Sequence, residues 1–194
     1  MNDEVEILDF PFCSFNIQHL KSSVQHQFFT YIFARSDYMN LGMGVYIRKA
    51  VKKDMVSVLD LITELAIYEK QEEQVQTTVA DLERDAFGKN PLFHVLLAEK
   101  EGELAGMVFY YYGYSTWKGK MLYIDDIVVT ERFRRFGVGQ ALFDYMRGEA
   151  RRESANQIRF HVLNWNEPAV KFYKKNGVVF DDEWIQCKLE KENI

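Results

Sequence analysis

The stretch RRFGVGQALF, from Arg134 to Phe143, contains residue types that can bind phosphate. Gly137 and Gly139 stand one residue apart, directly after two arginines and before an apolar run. Glycines lack Cβ, so a ligand can approach their backbone N–H groups closely, and arginine side chains make charge-assisted hydrogen bonds to phosphate. A plain turn with two solvated arginines explains the same residues. This stretch alone does not separate the two interpretations.

The neighbouring elements favour phosphate binding. The strand-like run KMLYIDDIVVT precedes the glycine pair, and an amphipathic helix with Ala141, Tyr145 and Met146 facing inward follows it. A helix that begins there offers unpaired N–H groups and the positive end of its dipole to an anion. No G-K-[ST] follows the glycines and the G-x-G-x-x-G pattern is not completed, so the sequence predicts neither a Walker loop nor a dinucleotide fingerprint.

The hydrophobic pattern predicts the elements that position this motif. A strand over VYIRKA precedes a helix that Asp54 caps and a second helix that Gly88 ends in the left-handed conformation. Two strands follow around a turn at Glu101-Gly102, and then the strand, motif and helix described above. A strand over QIRFHVLN, a short helix that ends at Gly177 and a final strand over EWIQCKLEK complete the chain. This order indicates an α/β domain with helices on both faces of one central sheet.

Residues 1–42 differ from the rest of the chain, because they are aromatic without a clear period. They are either an extension that packs on the domain or the product of an over-long gene start, with Met43 as the true start. We favour the second interpretation and predict the folded domain over residues 43–194.

Composition excludes several functional classes. The 194 residues carry a formal net charge of −5 and no stripe of lysine and arginine, which argues against nucleic acid as a partner. No apolar run reaches the ~18 residues that span a bilayer, and the N-terminus lacks a secretory signal, so we expect a cytoplasmic protein with no membrane partner. The two cysteines and four histidines show no ligand spacing, so we predict no metal. His94 and His161 lie in strand-like runs and are expected to be packed or hydrogen-bonded.

The motif RRFGVG resembles the R-x-x-G-x-G/A acetyl-CoA signature of the GNAT N-acetyltransferase superfamily. The resemblance implies a single GNAT-like domain, with a central mixed, mostly antiparallel sheet that contains a splayed parallel pair. It implies acetyl-CoA as co-substrate, with its pyrophosphate on the loop amides and its pantetheine arm along the preceding strand. The cofactor-binding residues that it implies are Ile127, Val128, Val129, Arg134, Arg135, Phe136, Gly137, Val138, Gly139, Asn166 and Tyr173.

Three further motifs narrow the resemblance. ELAIYEKQEEQV, YYYGYSTWKGKMLYIDDIVV and NWNEPAVKFYKKNG are similar to those of the diamine (spermidine/spermine) acetyltransferase family, which includes thialysine acetyltransferases. The similarity runs from Val45 to Glu190. It implies a diamine or polyamine substrate, with a lysine analogue as the alternative, and a homodimer.

The resemblance also implies catalytic roles. Tyr173 matches the tyrosine that points at the sulfur of coenzyme A and can act as general acid. Asp125 stands where the family has a glutamate, and we predict that it is the base or binds substrate. Alternation along a strand would place Asp125 and Asp126 on opposite faces, so that only one of them could face the substrate. Asn166 is expected to cap the helix that Pro168 begins and to contact coenzyme A.

The substrate-binding residues that we predict are acidic or aromatic. They are Glu69, Glu72, Glu73, Tyr112, Trp117, Asp125 and Asp126. A solvated acidic loop and ordinary core aromatics explain several of them equally well. Ser115 replaces an acidic residue of the polyamine enzymes, which leaves room for a shorter diamine or an amino acid with an amine-bearing side chain. A non-catalytic module that binds coenzyme A is the alternative from another functional class.

Overall fold

The computed structural model describes residues 39–40 and 44–194. Our predictions for residues 1–38 and 41–43, including Met43 as a start, lie outside the described residues. The elements in chain order are β1 Met39–Asn40, β2 Val45–Lys49, α1 Met55–Glu69, α2 Val79–Phe87, β3 His94–Lys100, β4 Glu103–Ser115, β5 Gly119–Val129, α3 Val138–Arg152, β6 Gln157–Arg159 and α4 Glu167–Lys175. From β2 to α4 this is the predicted order.

The strands form one six-stranded sheet in the order β1 to β6. All neighbouring strands are antiparallel except β5 and β6, which are parallel. A parallel pair needs a crossover connection, and α3 supplies it. The predicted mixed, mostly antiparallel sheet is therefore confirmed.

Helices cover both faces of the sheet, as predicted. Leu96 of β3 packs with Met146 of α3 in one core, whereas the next residue, Leu97, packs with Val58 of α1 in the other. This alternation follows from the period of two along a strand. It defines an α3 face and an α1–α2 face of the sheet, and both cores contain side chains with no exposed surface.

Two helix-end predictions need correction. Asp54 occupies the N-cap position of α1, but its side chain makes no cap hydrogen bond and instead accepts from the N–H of Val51 and pairs with Arg48. Gly88 has φ −72° and is not left-handed. A Cβ at Gly88 would lie 2.6 Å from the carbonyl oxygen of Arg84, so close backbone approach explains this glycine.

Two turn predictions are confirmed. Glu101 and Gly102 have φ values of 56° and 79°, as a tight hairpin turn between β3 and β4 requires. Gly177 has φ 74° directly after the C-cap residue of α4.

The predicted final strand is wrong. Residues 178–190 form no strand in the described structure. The side chains of Trp184, Ile185 and Leu189 in this segment are exposed. A strand needs a partner as well as an alternating sequence, and the last strand before this segment, β6, is only three residues long and pairs with β5. No helix of the described residues is long and apolar enough to cross a membrane.

Candidate active site

The loop after β5 presents the N-terminus of α3 with no side-chain cap. Gly137 is the N-cap residue, in the left-handed conformation with φ 83°, and no side chain hydrogen-bonds to the first turn. The N–H groups of that turn are therefore directed out of the helix without a side-chain acceptor, at the positive end of the helix dipole. This geometry suits an anion such as a pyrophosphate.

Gly139 keeps space open above this turn. A Cβ at Gly139 would lie 3.6 Å from Cγ2 of Val129, which is an ordinary contact. The missing side chain therefore does not relieve a clash within the protein. It leaves the backbone accessible to a ligand.

The edge of β5 is open beside this loop. The pairing of β5 with β6 covers Met121 to Tyr123 and stops there, whereas β5 continues to Val129. The two parallel strands therefore splay after Tyr123, as the resemblance implied. Along this part of β5, backbone N–H and C=O groups on the β6 side can pair with an extended ligand.

A cavity of about 810 Å³ lies between the open edge of β5, the loop, the end of α1 and α4. Of the predicted cofactor-binding residues, only Phe136, which is exposed, and Val138, which is buried in the core, do not line it. The residues that do are Ile127, Val128, Val129, Arg134, Arg135, Gly137, Gly139, Asn166 and Tyr173.

Tyr173 of α4 lines the cavity. It is 8% exposed and packs against Phe143 and Phe160, with ring centroids 5.8 and 4.5 Å away. Burial, and secondarily the negative charge of Asp126, raises the pKa of Tyr173 to about 12. The hydroxyl is therefore protonated at neutral pH and can donate a hydrogen bond.

Hydrogen bonds between α3 and α4 hold Tyr173 in place. The side chains of Gln140 and Asn176 bond reciprocally at 2.9 and 3.1 Å, and Arg147 donates to the carbonyl oxygen of Asn176. At the other end of α4, Asn166 accepts from the N–H of Ala169, so the predicted N-cap is confirmed.

Tyr68 of α1 closes the cavity from the other side, and the sequence analysis missed it. Its hydroxyl donates to Oδ1 of Asn166 at 3.3 Å, and its ring lies 5.0 Å from the guanidinium carbon of Arg134. Arg134 also donates to the carbonyl oxygen of Val129. Tyr68 follows Leu61 and Leu65 at helical spacing. Extending the apolar face of α1 by one turn would therefore have predicted that Tyr68 faces the sheet.

Asp125 and Asp126 lie at a β-bulge. Ile124 pairs with Tyr110 and Asp126 pairs with Phe109, which leaves Asp125 as the additional residue of β5. Ile124 packs in the core of the α3 face, whereas Phe109 packs against the core of the α1–α2 face. Because the bulge interrupts the alternation, both aspartates lie on the α1–α2 side. The prediction that they point to opposite faces is therefore wrong.

The two aspartates differ in their surroundings. Asp126 is half-buried, and burial raises its pKa to about 7, with further contributions from the negative charges of Asp125 and Glu69. Asp125 reaches solvent; partial burial raises its pKa, and positive charge at His161 opposes the rise. Glu69, at the end of α1, also has a pKa raised by partial burial.

His161 and Tyr123 flank Asp125. Nδ1 of His161 lies 2.5 Å from the hydroxyl of Tyr123, so the predicted hydrogen-bonded histidine is confirmed. The Tyr123 ring stacks on Tyr111 at 4.9 Å. The negative charge of Asp125 contributes to the raised pKa of both tyrosines, after burial. His94, the other histidine of the strand runs, packs on the rings of Tyr110 and Tyr112.

None of the seven predicted substrate-binding residues is among those that line the cavity. Tyr112 is on the α3 face, where its hydroxyl donates to Glu149 at 2.8 Å, and Tyr111 occupies the α1–α2 side instead. Trp117 is 80% exposed in the β4–β5 turn, next to Trp184. Glu72 and Glu73 are exposed in a short 3-10 turn after α1. The negative charges of Glu69 and Asp125 act on Asp126, whereas Tyr112 lies on the opposite face of the sheet.

The geometry of the loop and cavity agrees with comparisons to known proteins. A model of the acetyltransferase (GNAT) family matches residues 55–178. The chain belongs to the GNAT acetyltransferase family. It is therefore an acetyl-CoA-dependent N-acetyltransferase, as the motif RRFGVG predicted.

Curated relatives place the chain near one branch of the GNAT family. It is 39% identical over 142 residues to a thialysine N-epsilon-acetyltransferase of Sus scrofa, covering 69% of this chain and 84% of that protein. It is 33% identical over 158 residues to spermidine/spermine N(1)-acetyltransferase-like protein 1 of Homo sapiens, covering 76% of this chain but 23% of that protein. These similarities confirm the branch that the sequence motifs indicated.

A solved structure supports the fold alone. An integron cassette protein from the mobile metagenome of V. cholerae matches with a TM-score of 0.65 at 21% identity, covering 78% of this chain and 96% of that one.

Proposed function

We propose that this GNAT enzyme transfers the acetyl group of acetyl-CoA to a primary amine of a small molecule, a diamine or polyamine. The observation that carries the proposal is that Tyr173 lines the cavity with its hydroxyl protonated, while Asp126 lies close enough for its negative charge to add to the effect of burial on the pKa of Tyr173. A hydroxyl donor and a carboxylate acceptor are the two groups that acetyl transfer to an ammonium requires.

The cavity suits acetyl-CoA along its whole length. The uncapped N-terminus of α3 and the side chains of Arg134 and Arg135 would hold the pyrophosphate, and the open edge of β5 would pair with the pantetheine amides. The thioester would then lie beside Tyr173. N–H groups of β5 near Val128 would stabilise the oxyanion of the tetrahedral intermediate.

Tyr173 would act on the leaving sulfur. Tyr173, with a pKa of about 12, is a weaker acid than an ordinary thiol, whose pKa is near ~8.5. The phenol therefore favours a hydrogen bond to the developing thiolate over complete transfer of its proton. As the C–S bond breaks, this hydrogen bond strengthens and stabilises the transition state.

The acidic cluster would bind the substrate as a cation. Glu69, Asp125 and Asp126 raise the affinity of this region for an ammonium group, and the protein carries a net charge of −5. Glu72 and Glu73, on the exposed turn after α1, could bind a second amine of a longer substrate.

A second candidate substrate is an amino acid with a side-chain amine, such as thialysine. The observation that favours it is positive charge next to the acidic cluster. Burial raises the pKa of Tyr123, and the positive charge of Arg159 opposes this rise. Burial also raises the pKa of Asp125, and positive charge at His161 opposes that rise. These two side chains could bind a substrate carboxylate while the aspartates hold the amine.

A thiol-release assay with acetyl-CoA and a panel of putrescine, spermidine, thialysine, lysine and a peptide tests the proposal. If the substrate is a diamine or polyamine, we expect the highest kcat/KM with putrescine or spermidine, and little change of that value in Arg159→Gln. If the substrate is an amino acid, we expect the highest kcat/KM with thialysine or lysine. For those substrates alone, KM should then rise about tenfold in Arg159→Gln. A preference for the peptide would contradict both.

We also propose a homodimer. Exposed apolar side chains of residues 178–190 and the neighbouring Trp117 form a surface of the kind that marks protein contacts. Light scattering behind a sizing column would report twice the mass of the 22.9 kDa chain. A single-chain mass at micromolar concentration would contradict the dimer.

A further inference from the structure

The β-bulge on β5 gives the two adjacent aspartates different positions relative to the apolar core. Asp126 pairs with Phe109, whose ring packs against the core of the α1–α2 face and stacks on Phe93 at 4.1 Å. Asp125 is the unpaired residue of the bulge and reaches solvent beside His161. Asp126 is therefore the more buried of the two aspartates, and Asp125 is exposed.

Groups from three elements act on Asp126. Asp125 belongs to the same strand, Glu69 comes from the end of α1, and Tyr173 comes from α4. Phe109 is its register partner on β4. Tyr173 lines the cavity, and so does Val128, which follows Asp126 by two residues on the α1–α2 side of β5. Of the two aspartates, Asp126 is therefore the one nearer to the cavity along this strand.

We propose that Asp126, rather than Asp125, accepts the proton that the substrate ammonium must lose before it attacks the thioester. This inference rests on the proposed amine acetylation, and it reverses the assignment that the family resemblance implies for Asp125. Asp125 has a positioning role: its negative charge, next to Asp126, strengthens the affinity of Asp126 for the proton.

The transfer is balanced in protons and electrons. The ammonium R–NH3+ gives one proton to the carboxylate of Asp126, and the nitrogen lone pair then forms the C–N bond with the acetyl carbonyl carbon. The C–S bond breaks with its electron pair moving to sulfur, and the second nitrogen proton neutralises the thiolate, with Tyr173 as hydrogen-bond donor or relay. The products are the N-acetyl amine and the thiol of coenzyme A, and Asp126 releases its proton to solvent.

The environment of Asp126 suits this role. An ordinary primary ammonium has a pKa near ~10.4, and an ordinary aspartate one near ~3.9. The raised pKa of Asp126, about 7, closes roughly half of that gap, while the group is still mostly ionised slightly above neutral pH. A general base works best when its pKa lies near the working pH.

The pH profile of kcat/KM separates the two aspartates. The wild type should lose activity as the pH falls through about 7, because the free enzyme then protonates Asp126. In Asp125→Asn this acid limb, the loss of kcat/KM at low pH, should persist. Its midpoint should move to lower pH because the neighbouring negative charge is gone. In Asp126→Asn the limb should disappear and kcat should fall on the order of 10²-fold or more, whereas Asp126→Glu should restore a limb.

Titration of each variant with acetyl-CoA by calorimetry shows that the fold and the cofactor site are intact. A limb that disappears in Asp125→Asn, or that persists unchanged in Asp126→Asn, would overturn the assignment and leave amine acetylation standing. Absence of turnover in the wild type with every amine would overturn the proposed function and this inference together.

Discussion

The hydroxyl of Tyr68 donates a hydrogen bond to Oδ1 of Asn166 at 3.3 Å, which joins the last turn of α1 to the first turn of α4 across the mouth of the cavity. The same tyrosine ring supports the guanidinium of Arg134, and its centroid lies 5.8 Å from that of Trp165. One side chain thus connects the three segments that surround the proposed cofactor.

Substitutions of Tyr68 should weaken acetyl-CoA binding in two steps. Tyr68→Phe removes the hydrogen bond to Asn166 but keeps the ring under Arg134, so we expect KM for acetyl-CoA to rise only about twofold to fivefold. Tyr68→Leu also removes the cation–π contact, and we expect an increase of about tenfold. Equal KM values for Phe and Leu variants, measured at saturating amine, would contradict a role for the ring.

Gly137 should be needed for both stability and cofactor affinity. Its φ of 83° costs an alanine about 1–2 kcal/mol, and relief of that strain would move the N–H groups at the start of α3. We expect Gly137→Ala to lower the melting temperature and to weaken acetyl-CoA binding at least about tenfold, measured by calorimetry.

Gly102→Ala is the matched control. Gly102 has a similar φ of 79° in the β3–β4 turn, and no atom lies within 4 Å of an added Cβ. It should lose similar stability with unchanged affinity. If both variants bound acetyl-CoA like the wild type, the helix terminus would not be the phosphate site.

Tyr173→Phe should separate chemistry from binding. The phenylalanine keeps the packing against Phe143 and Phe160 but removes the donor at the leaving sulfur. We expect kcat to fall on the order of 10²-fold while the dissociation constant of acetyl-CoA changes less than about threefold. Steady-state kinetics and calorimetry measure the two quantities, and full kcat in the variant would remove Tyr173 from the mechanism.

Asp126 should reduce the free energy of unfolding of the wild type as the pH rises. Its pKa is about 7 in the folded protein and lower in the unfolded chain, so the folded state binds the proton more tightly. The stability that this proton contributes is fully present below the unfolded pKa and is lost as the pH rises through the folded one.

Asp126→Asn should therefore be more stable than the wild type at pH 8, by about 2 kcal/mol, with a smaller difference at pH 4. Urea unfolding at both values measures this change. Asp60→Asn, on the exposed side of α1, is the control for the loss of one negative charge. An Asp126→Asn variant that gains nothing at pH 8 would show that the carboxylate is not destabilised by burial.

Most of the predicted cofactor-binding residues line one cavity, whereas none of the predicted substrate-binding residues does. The strand, loop and helix around Gly137 are contiguous in the chain, so local spacing was sufficient to place them. Asn166 and Pro168 form a helix start that can be recognised in the same way. These features depend on neighbours in sequence.

The substrate side depends on contacts between distant segments. The bulge that turns Asp126 to the α1–α2 side arises from the pairing of β5 with β4, and a single strand shows only its alternation. The same limit explains Tyr112, which lies on the opposite face from Tyr111. The final strand failed for a related reason, since alternation in residues 183–191 does not reveal whether a partner strand is available.

The most direct measurement is product analysis after incubation of the purified protein with acetyl-CoA and each amine of the panel. We expect mass spectrometry to find an N-acetylated small-molecule amine and free coenzyme A in equal amounts. We expect Asp126→Asn to suppress the formation of both products together. Coenzyme A released without any acetylated amine, or no release at all from a protein that binds acetyl-CoA, would contradict the proposed amine acetylation.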